Sequence, residues 1–279
     1  MTSSMTAIRP IRWISSVGLS VGLAGVATAC IERPPPSTEP RPEPATEPVL
    51  EASEPARTTE RPDAPLPEAE VVLERATRAL GGRDAWQAID TYYCKGTLEV
   101  SGQGLRTVIE IWWQSDDFYM RSDMENLGVS EVWKKGDAVW VEDPQRGRRP
   151  VQGAEARQLV EAASLSIVVD WRSYYDAART LGRRAADGRA LLDVELSSSD
   201  GAALTVSFDE ESGLPVSHAT SRNTPLGTLL TTTAFEDYRE VSGIQLPFRS
   251  VIATPTYESV MRVERFDLGV PIDPDKFTP

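Results

Sequence analysis

The sequence predicts an α+β domain that is mainly β: an antiparallel meander curved into an open or partly closed sheet, with a helix at its start and a helical insertion partway along. Three observations carry this. From Thr91 onward, successive runs alternate apolar and polar residues with the two-residue period of a strand. The runs are separated by glycine turns such as Ser101-Gly102-Gln103-Gly104, Lys135-Gly136-Asp137, Ser212-Gly213 and Ser242-Gly243. Helical spacing is confined to the stretch after Pro67, a short piece around Trp86 and Ile89, and two stretches between the strand groups.

Ahead of the domain lies an export signal. Arg9 and Arg12 form a short basic region, and Trp13 to Ala29 carries no charge but is diluted by Gly, Ser and Ala. The run falls short of the ~20 strongly apolar residues of a spanning helix, so residues 1–29 are expected to be cleaved rather than to anchor the chain. Ala27-Thr28-Ala29 is an A-x-A site for ordinary signal peptidase. The same residues before Cys30 resemble a bacterial lipobox, whose cysteine receives diacylglycerol, although Ala27 stands where that pattern usually has Leu. Lipidation of Cys30 is the favoured reading, because the cysteine falls at the scissile bond and a tether follows; an unmodified N-terminal thiol is the alternative. Several acyl chains would make attachment effectively permanent, since each buried CH₂ contributes ~0.8 kcal/mol.

Residues 30–66 form that tether. Between Ile31 and Pro67 there are eleven prolines, many glutamates and almost nothing apolar. Such a segment cannot bury enough surface to offset the entropy of ordering. The expectation is a disordered, self-repelling, polyproline-like spacer, dispensable for folding, with an upper reach on the order of 110 Å at ~3.1 Å per residue.

The folded part, residues 67–279, is one domain's worth of chain and can bury a substantial core. Only Cys94 is left beyond Cys30, so a disulfide inside it is excluded; Cys94 reads as a buried strand residue in TYYCKGTLEV. Loss of Arg9 and Arg12 with the signal takes the formal net charge from −13 to −15. That balance argues against nucleic-acid binding and is repelled by anionic headgroups, so membrane affinity has to come from the anchor.

The elements follow in order. Val72, Leu73, Ala76 and Leu80 make one apolar helical stripe, with Glu68 and Glu70 at its start, Arg75 and Arg78 near its end, and Gly81-Gly82 as the stop. CKGTLEVSGQGLRTVIEIWWQ reads as two strands, DDFYMRSDME as a third and SEVWKKGDAVWVED as a hairpin. Ile109, Ile111 and Trp113 share one strand face, and Phe118, Met120 and Met124 share another. Helices are expected over Glu155 to Ala163 and over Asp170 to Leu181, the second carrying Trp171, Tyr174, Tyr175, Ala178 and Leu181 and ending at Gly182. Strands resume from Ala190 to Leu268.

LERATRALGGRDAWQAIDTYYCKGTLEV, FDEESGLPVS and FEDYREVSGIQLPFRS, in that order, resemble the outer-membrane lipoprotein-sorting proteins, the LolA/LolB-like group of periplasmic lipid and lipoprotein binders. The most specific part runs from Phe235 to Pro247. The resemblance implies an incomplete antiparallel β-barrel whose apolar inner face is covered by helices, with acyl chains held between. Most of the motif is structural in this reading, Gly243 as a turn and Pro247 at a strand edge.

Little in the sequence argues for catalysis. His218 is the only histidine, so a Ser-His-Asp triad or an imidazole metal site has nothing else to recruit, and its alternation with Val216 and Thr220 makes it a strand-face residue. Asp209-Glu210-Glu211-Ser212-Gly213 lacks the spaced oxygen ligands of a calcium loop and reads as a hairpin turn. Gly102-Gln103-Gly104 lacks the third glycine and strand-to-helix context of a dinucleotide fingerprint. Arg146, Arg148 and Arg149 form a basic cluster within reach of a headgroup phosphate, or simply a solvated loop. Carboxylates are abundant, and only a structure can pair them. No catalytic residue, cofactor or metal site is expected.

The aromatic residues suggest a cavity. Ile109, Ile111, Trp113, Phe118, Trp133 and Trp140 are the candidate walls, and Trp171 and Tyr174 on the inserted helix the candidate cover; ordinary core packing is the competing reading. The leading expectation is a non-enzymatic, lipid-anchored, monomeric protein that holds acyl chains of a lipid or lipoprotein, an acceptor in sorting to the outer membrane. Ile31 follows the cysteine in place of the aspartate that resembles an inner-membrane retention signal, which points to the outer membrane facing the periplasm. An envelope sensor or interaction domain that binds a protein partner is the alternative, and a hydrolase the least favoured.

Overall fold

A computed structural model of the chain describes residues 65–115, 117–165, 167–199, 201–224 and 227–279, with side chains at all of these except 154, 162, 222–224 and 227–229. The export signal, Cys30 and all but the last two residues of the tether lie outside the described residues.

The stripe after Pro67 forms helix α1 (Ala69–Ala79), which buries Ala69, Val72, Leu73 and Ala76 and leaves Val71 at its back exposed. Glu70 in the first turn and Arg78 in the last complement the helix dipole. Gly81 follows with φ +114°, and a Cβ there would lie 2.2 Å from the carbonyl oxygen of Gly243. This contact seats the end of α1 on the turn between two late strands. The Gln245 amide donates to the Leu80 carbonyl at 3.0 Å, and so does the Trp86 indole at 3.0 Å, from the short helix α2 (Arg83–Gln87).

Thirteen strands then form one antiparallel sheet. The first group is β1 (Thr91–Val100), β2 (Leu105–Gln114), β3 (Asp117–Met124), β4 (Gly128–Lys135), β5 (Ala138–Asp143) and β6 (Gly147–Val151). Helix α3 (Gly153–Ala162) and a 3-10 turn (Trp171–Ser173) come next. The second group is β7 (Ala177–Ala186), β8 (Arg189–Ser197), β9 (Ala203–Asp209), β10 (Pro215–Thr224), β11 (Gly227–Val241), β12 (Ile244–Ala253) and β13 (Glu258–Leu268). Each strand pairs with its neighbour in sequence within its group, and β1 pairs with β13, giving the order β6-β5-β4-β3-β2-β1-β13-β12-β11-β10-β9-β8-β7. The chain thus runs round a meander that is left open between β6 and β7, and the helical insertion occupies that break in the sequence. This is the mixed, helix-covered, unclosed antiparallel sheet that the strand pattern predicts.

Two expectations are corrected. The stretch 170–181 is not a helix. Only Trp171–Ser173 turns, and Ala178 and Leu181 lie in β7, paired with β8. Gly182, read as the helix stop, pairs with Asp193, and the register shifts just before it, with Leu181 as the bulged residue. As an edge strand β7 alternates only between exposed and half-buried residues and buries none fully, so no apolar two-residue period marks it in the sequence, and pairing with β8 overrides the accidental helical spacing. Arg148 and Arg149 are likewise in an edge strand, β6, rather than a loop. Arg148 pairs with Glu142 at 2.7 Å and Arg149 with Glu155 at 2.6 Å, while Arg146 reaches Asp143 at 3.6 Å.

Candidate functional site

Alternation divides each strand between two faces. One is covered by α1, α2, α3 and the segment 163–175, and it holds most of the core. There the register sets Tyr92, Trp113 and Phe118 directly opposite one another on β1, β2 and β3. Their rings stack at 5.8 Å and 5.8 Å, and Tyr92 stacks on Phe266 of β13 at 5.4 Å. The Tyr92 hydroxyl donates to the Ala163 carbonyl, tying the end of α3 down onto the sheet. Burial raises the Tyr92 hydroxyl well above its ordinary pKa and pushes the neighbouring Cys94 thiol up to about 12, so neither ionises at physiological pH.

Among the described residues, two apolar cavities are found between this face and its cover. The first is lined by Leu80 and Trp86 below the helices, Leu165, Ile167 and Val168 of the covering segment, and Leu204, Val206, Pro215, His218, Phe235, Tyr238, Gln245, Leu246 and Pro247 of β9 to β12. The second is lined by Tyr92, Cys94, Ile111, Ala163, Leu165, Leu246, Pro247, Phe248, Ser250, Met261, Val263 and Phe266. Their interiors measure about 40 and 30 Å³, far below the ~300–1,000 Å³ of a small-molecule site, and only with the open solvent at their mouths do they span about 450 and 550 Å³. The tight inner part of each has room for about one or two waters, so a larger guest has to displace wall side chains. No charged side chain lines either cavity. A third, more open cleft, between α1 and the 3-10 turn, is edged by charges that pair with each other, Arg172 with Glu70 at 2.6 Å and Arg83 with Glu74 at 3.8 Å.

The predicted wall residues divide. Ile109, Ile111, Trp113 and Phe118 are buried on the covered face, and Ile111 lines the second of these two cavities. Trp171 is buried in the cover and carries Arg172 over its ring at 4.3 Å, and Tyr174 is half-buried against the same core. Trp133 and Trp140 are on the opposite face. There Tyr93, Trp112, Tyr119, Trp133 and Trp140 form one row across β1 to β5. The C-terminal 3-10 turn (Pro274–Phe277) docks on the row, burying Phe277 against Tyr119 and Trp133 and setting the Lys276 ammonium 4.0 Å from the Trp112 ring centre.

Sequence reasoning missed most of the lining. Phe235, Tyr238, Gln245, Leu246 and Pro247, all within the stretch read as structural, line the first cavity, and the motif itself was the signal. Gly243 is indeed in the β11–β12 turn. His218 lies on β10, edge-on to Phe235 at 5.2 Å. Asp209 accepts from the Ser212 and Glu211 amides at 2.7 and 3.0 Å, which makes DEESG the hairpin turn between β9 and β10. Among the described residues no cluster of His, Cys, Asp and Glu is placed to hold a metal, and no helix is long and apolar enough to cross a membrane.

No protein-family model matches the chain, and no curated protein matches its sequence. Its fold, however, is shared with solved structures. A LolA superfamily protein from Nitrosomonas europaea superposes with a TM-score of 0.55 at 14% identity, covering 77% of this chain and 99% of that one. A DUF1329 family protein from Desulfovibrio piger ATCC 29098 gives 0.55 at 14% identity over 75% and 97% of the two chains. A domain from Vibrio parahaemolyticus assigned to outer-membrane lipoprotein sorting gives 0.54 at 11%, over 75% and 97%. At such identities the likeness is one of fold.

Proposed function

We propose that this chain is an exported binding protein of the cell envelope that holds the acyl chains of a lipid or lipoprotein between its sheet and its helical cover. The observation that carries the reading is the pair of uncharged, apolar cavities beneath a cover tied to the sheet by the Tyr92–Ala163 hydrogen bond. An uncharged wall selects against polar substrates, because an unpaired polar group buried there loses its hydration without compensation. The fold supports the reading too, since structures with the same architecture include a LolA superfamily protein and a domain assigned to lipoprotein sorting. Cys30 carries a lipid anchor, residues 30–66 are the tether, and the domain works at the outer membrane, facing the periplasm, as an acceptor of sorted cargo.

The test is mass spectrometry on the full chain expressed with its signal and purified in mild detergent. Intact mass should show a diacylglyceryl adduct on Cys30, and solvent extraction should release a non-covalent acyl lipid. An unmodified Cys30 would overturn the anchor. Absence of bound lipid, together with no binding of a fluorescent fatty acid, would overturn the cavity reading in favour of a domain that binds a protein partner.

A further inference from the structure

The cleft between α1 and the 3-10 turn Trp171–Ser173 differs in kind from the two apolar cavities. It shares no lining residue with them, and its interior measures about 330 Å³, inside the ~300–1,000 Å³ range of small-molecule sites. Glu70, Glu74 and Arg78 recur every four residues along the exposed side of α1 and form one wall. Trp171 and Arg172 face them, and Arg83 of α2 completes the charged lining. Three guanidinium groups thus meet two carboxylates, in a chain whose formal net charge is −13.

Their pairing is uneven. Arg172 lies over the Trp171 ring at 4.3 Å and is matched by Glu70 at 2.6 Å. At the other end Glu74 has two arginines to serve. It stands 3.8 Å from Arg83, too far for a hydrogen bond, and four residues before Arg78. The Arg78 side chain makes no ion pair or hydrogen bond with another described residue. Arg83 is steadied by its bond to the Val169 carbonyl at 3.1 Å, and Asp170, within its electrostatic reach, accepts from the Ser173 hydroxyl at 2.6 Å.

We infer that the Arg78–Arg83 end of this cleft is an anion site, and that its ligand carries a phosphate monoester. A carboxylate would only duplicate Glu74. A phosphate monoester brings about 1.5–2 negative charges at neutral pH and three acceptor oxygens, enough for both arginine forks. The remaining space, bordered by Val71 and Trp171, receives the organic group that bears it. A soluble phosphate and a phosphorylated lipid headgroup share this chemistry.

The experiment is calorimetric titration of the full chain in detergent, at neutral pH and low salt, where charge pairing is least screened. The probes are glycerol 3-phosphate and dihexanoyl phosphatidic acid, with acetate and dihexanoyl phosphatidylcholine as controls. Wild type should bind one phosphate monoester per chain with a Kd below about 1 mM, and acetate at least about tenfold more weakly. Arg78→Gln and Arg83→Gln should each weaken that binding about tenfold or more, while Arg262→Gln, paired with Glu99 on β13, should leave it unchanged. Glu74→Gln removes the competing carboxylate and should strengthen binding about threefold or more, which loss of structure cannot do. Thermal midpoints are measured alongside, and Arg83→Lys, which keeps the charge but loses the fork, replaces Arg83→Gln if its midpoint collapses. Arg78-dependent binding of glycerol 3-phosphate assigns the site to soluble phosphates. Arg78-dependent binding of the phosphatidic acid alone, with none of the phosphatidylcholine, assigns it to a lipid headgroup. No binding of either monoester, acetate bound as tightly, or an affinity unchanged in both Arg78→Gln and Glu74→Gln would overturn the inference.

Discussion

Gly81 is where the covering helix meets the sheet, and Gly81→Ala tests whether that junction holds the fold together. The new methyl group would sit 2.2 Å from the Gly243 carbonyl oxygen and 2.9 Å from the Ile244 Cα. Both are backbone atoms, so no side-chain rotation relieves the clash, and the end of α1 has to lift from the β11–β12 turn. Lifting stretches the 3.0 Å bond from the Gln245 amide to the Leu80 carbonyl, worth about 1 kcal/mol net. The positive φ of +114° adds about 1–3 kcal/mol of backbone strain for any residue with a Cβ. With the clash itself, the expected loss is about 3–5 kcal/mol, a large share of the ~5–15 kcal/mol of a typical domain. Gly82→Ala is the control. It also has a positive φ, +86°, but its Cβ would meet nothing within 4 Å, so strain alone should cost about 1–3 kcal/mol, without the clash or the stretched hydrogen bond. Equilibrium urea unfolding of both variants, analysed with a common slope, measures the difference. Because Leu246 and Pro247 follow the same turn and line both cavities, Gly81→Ala should also weaken fatty-acid binding where Gly82→Ala does not. Equal losses in the two variants would refute the close approach as the source of the effect.

Two further outcomes are expected. The Ser212 amide, followed by the Ser212 hydroxyl and the Glu211 amide, holds the Asp209 carboxylate below its ordinary pKa despite burial. The stability it contributes is fully present above the unfolded value of about 3.9 and is lost as the pH falls through the lower folded value. Asp209→Asn should therefore cost about 1–2 kcal/mol at pH 7, and in unfolding measured against pH the gap should narrow as the pH falls through that lowered value; a gap independent of pH would contradict the assignment. Phe277→Ala removes the anchor of the C-terminal turn, 3% exposed, and should cost about 3 kcal/mol. Hydrogen exchange should then rise in 272–279 while β9 to β12 keep their protection, and unchanged protection of the tail would show that Phe277 does not hold it.

Much of the fold was legible because it is written locally. The α1 stripe, the glycine turns and the two-residue alternation of β1 to β5 and β8 to β13 each lie within a few residues of chain. The second inserted helix was misread because Trp171, Tyr174, Ala178 and Leu181 fall at helical spacing by chance, and only the pairing of β7 with β8 shows that Ala178 is a strand residue and Leu181 a bulge within the same strand. β6 was missed because GRRPV carries arginines and a proline, as a short sheet edge tolerates.

The site was less legible than the fold. The doublets Tyr92-Tyr93, Trp112-Trp113 and Phe118-Tyr119 state in the sequence that aromatic rings go to both faces, because neighbours on a strand point opposite ways. Which member of each doublet faces the cover, and that Trp133 and Trp140 join Tyr93, Trp112 and Tyr119 rather than Trp113, is a matter of register between strands. A one-residue slip in any hairpin would exchange the two sets, so no single strand contains the answer. The same holds for the cavities. Leu165 and Leu246 are separated in the chain by five strands, β7 to β11, and they meet because the covering segment folds back over the sheet onto β12. By itself the sequence determined the order of the elements, the positions of the turns and the apolar character of the interior, since these follow from residue propensity and period. Only the tertiary structure decided which apolar residues border empty space and which pack solid, because that depends on contacts between strands and segments far apart in the chain.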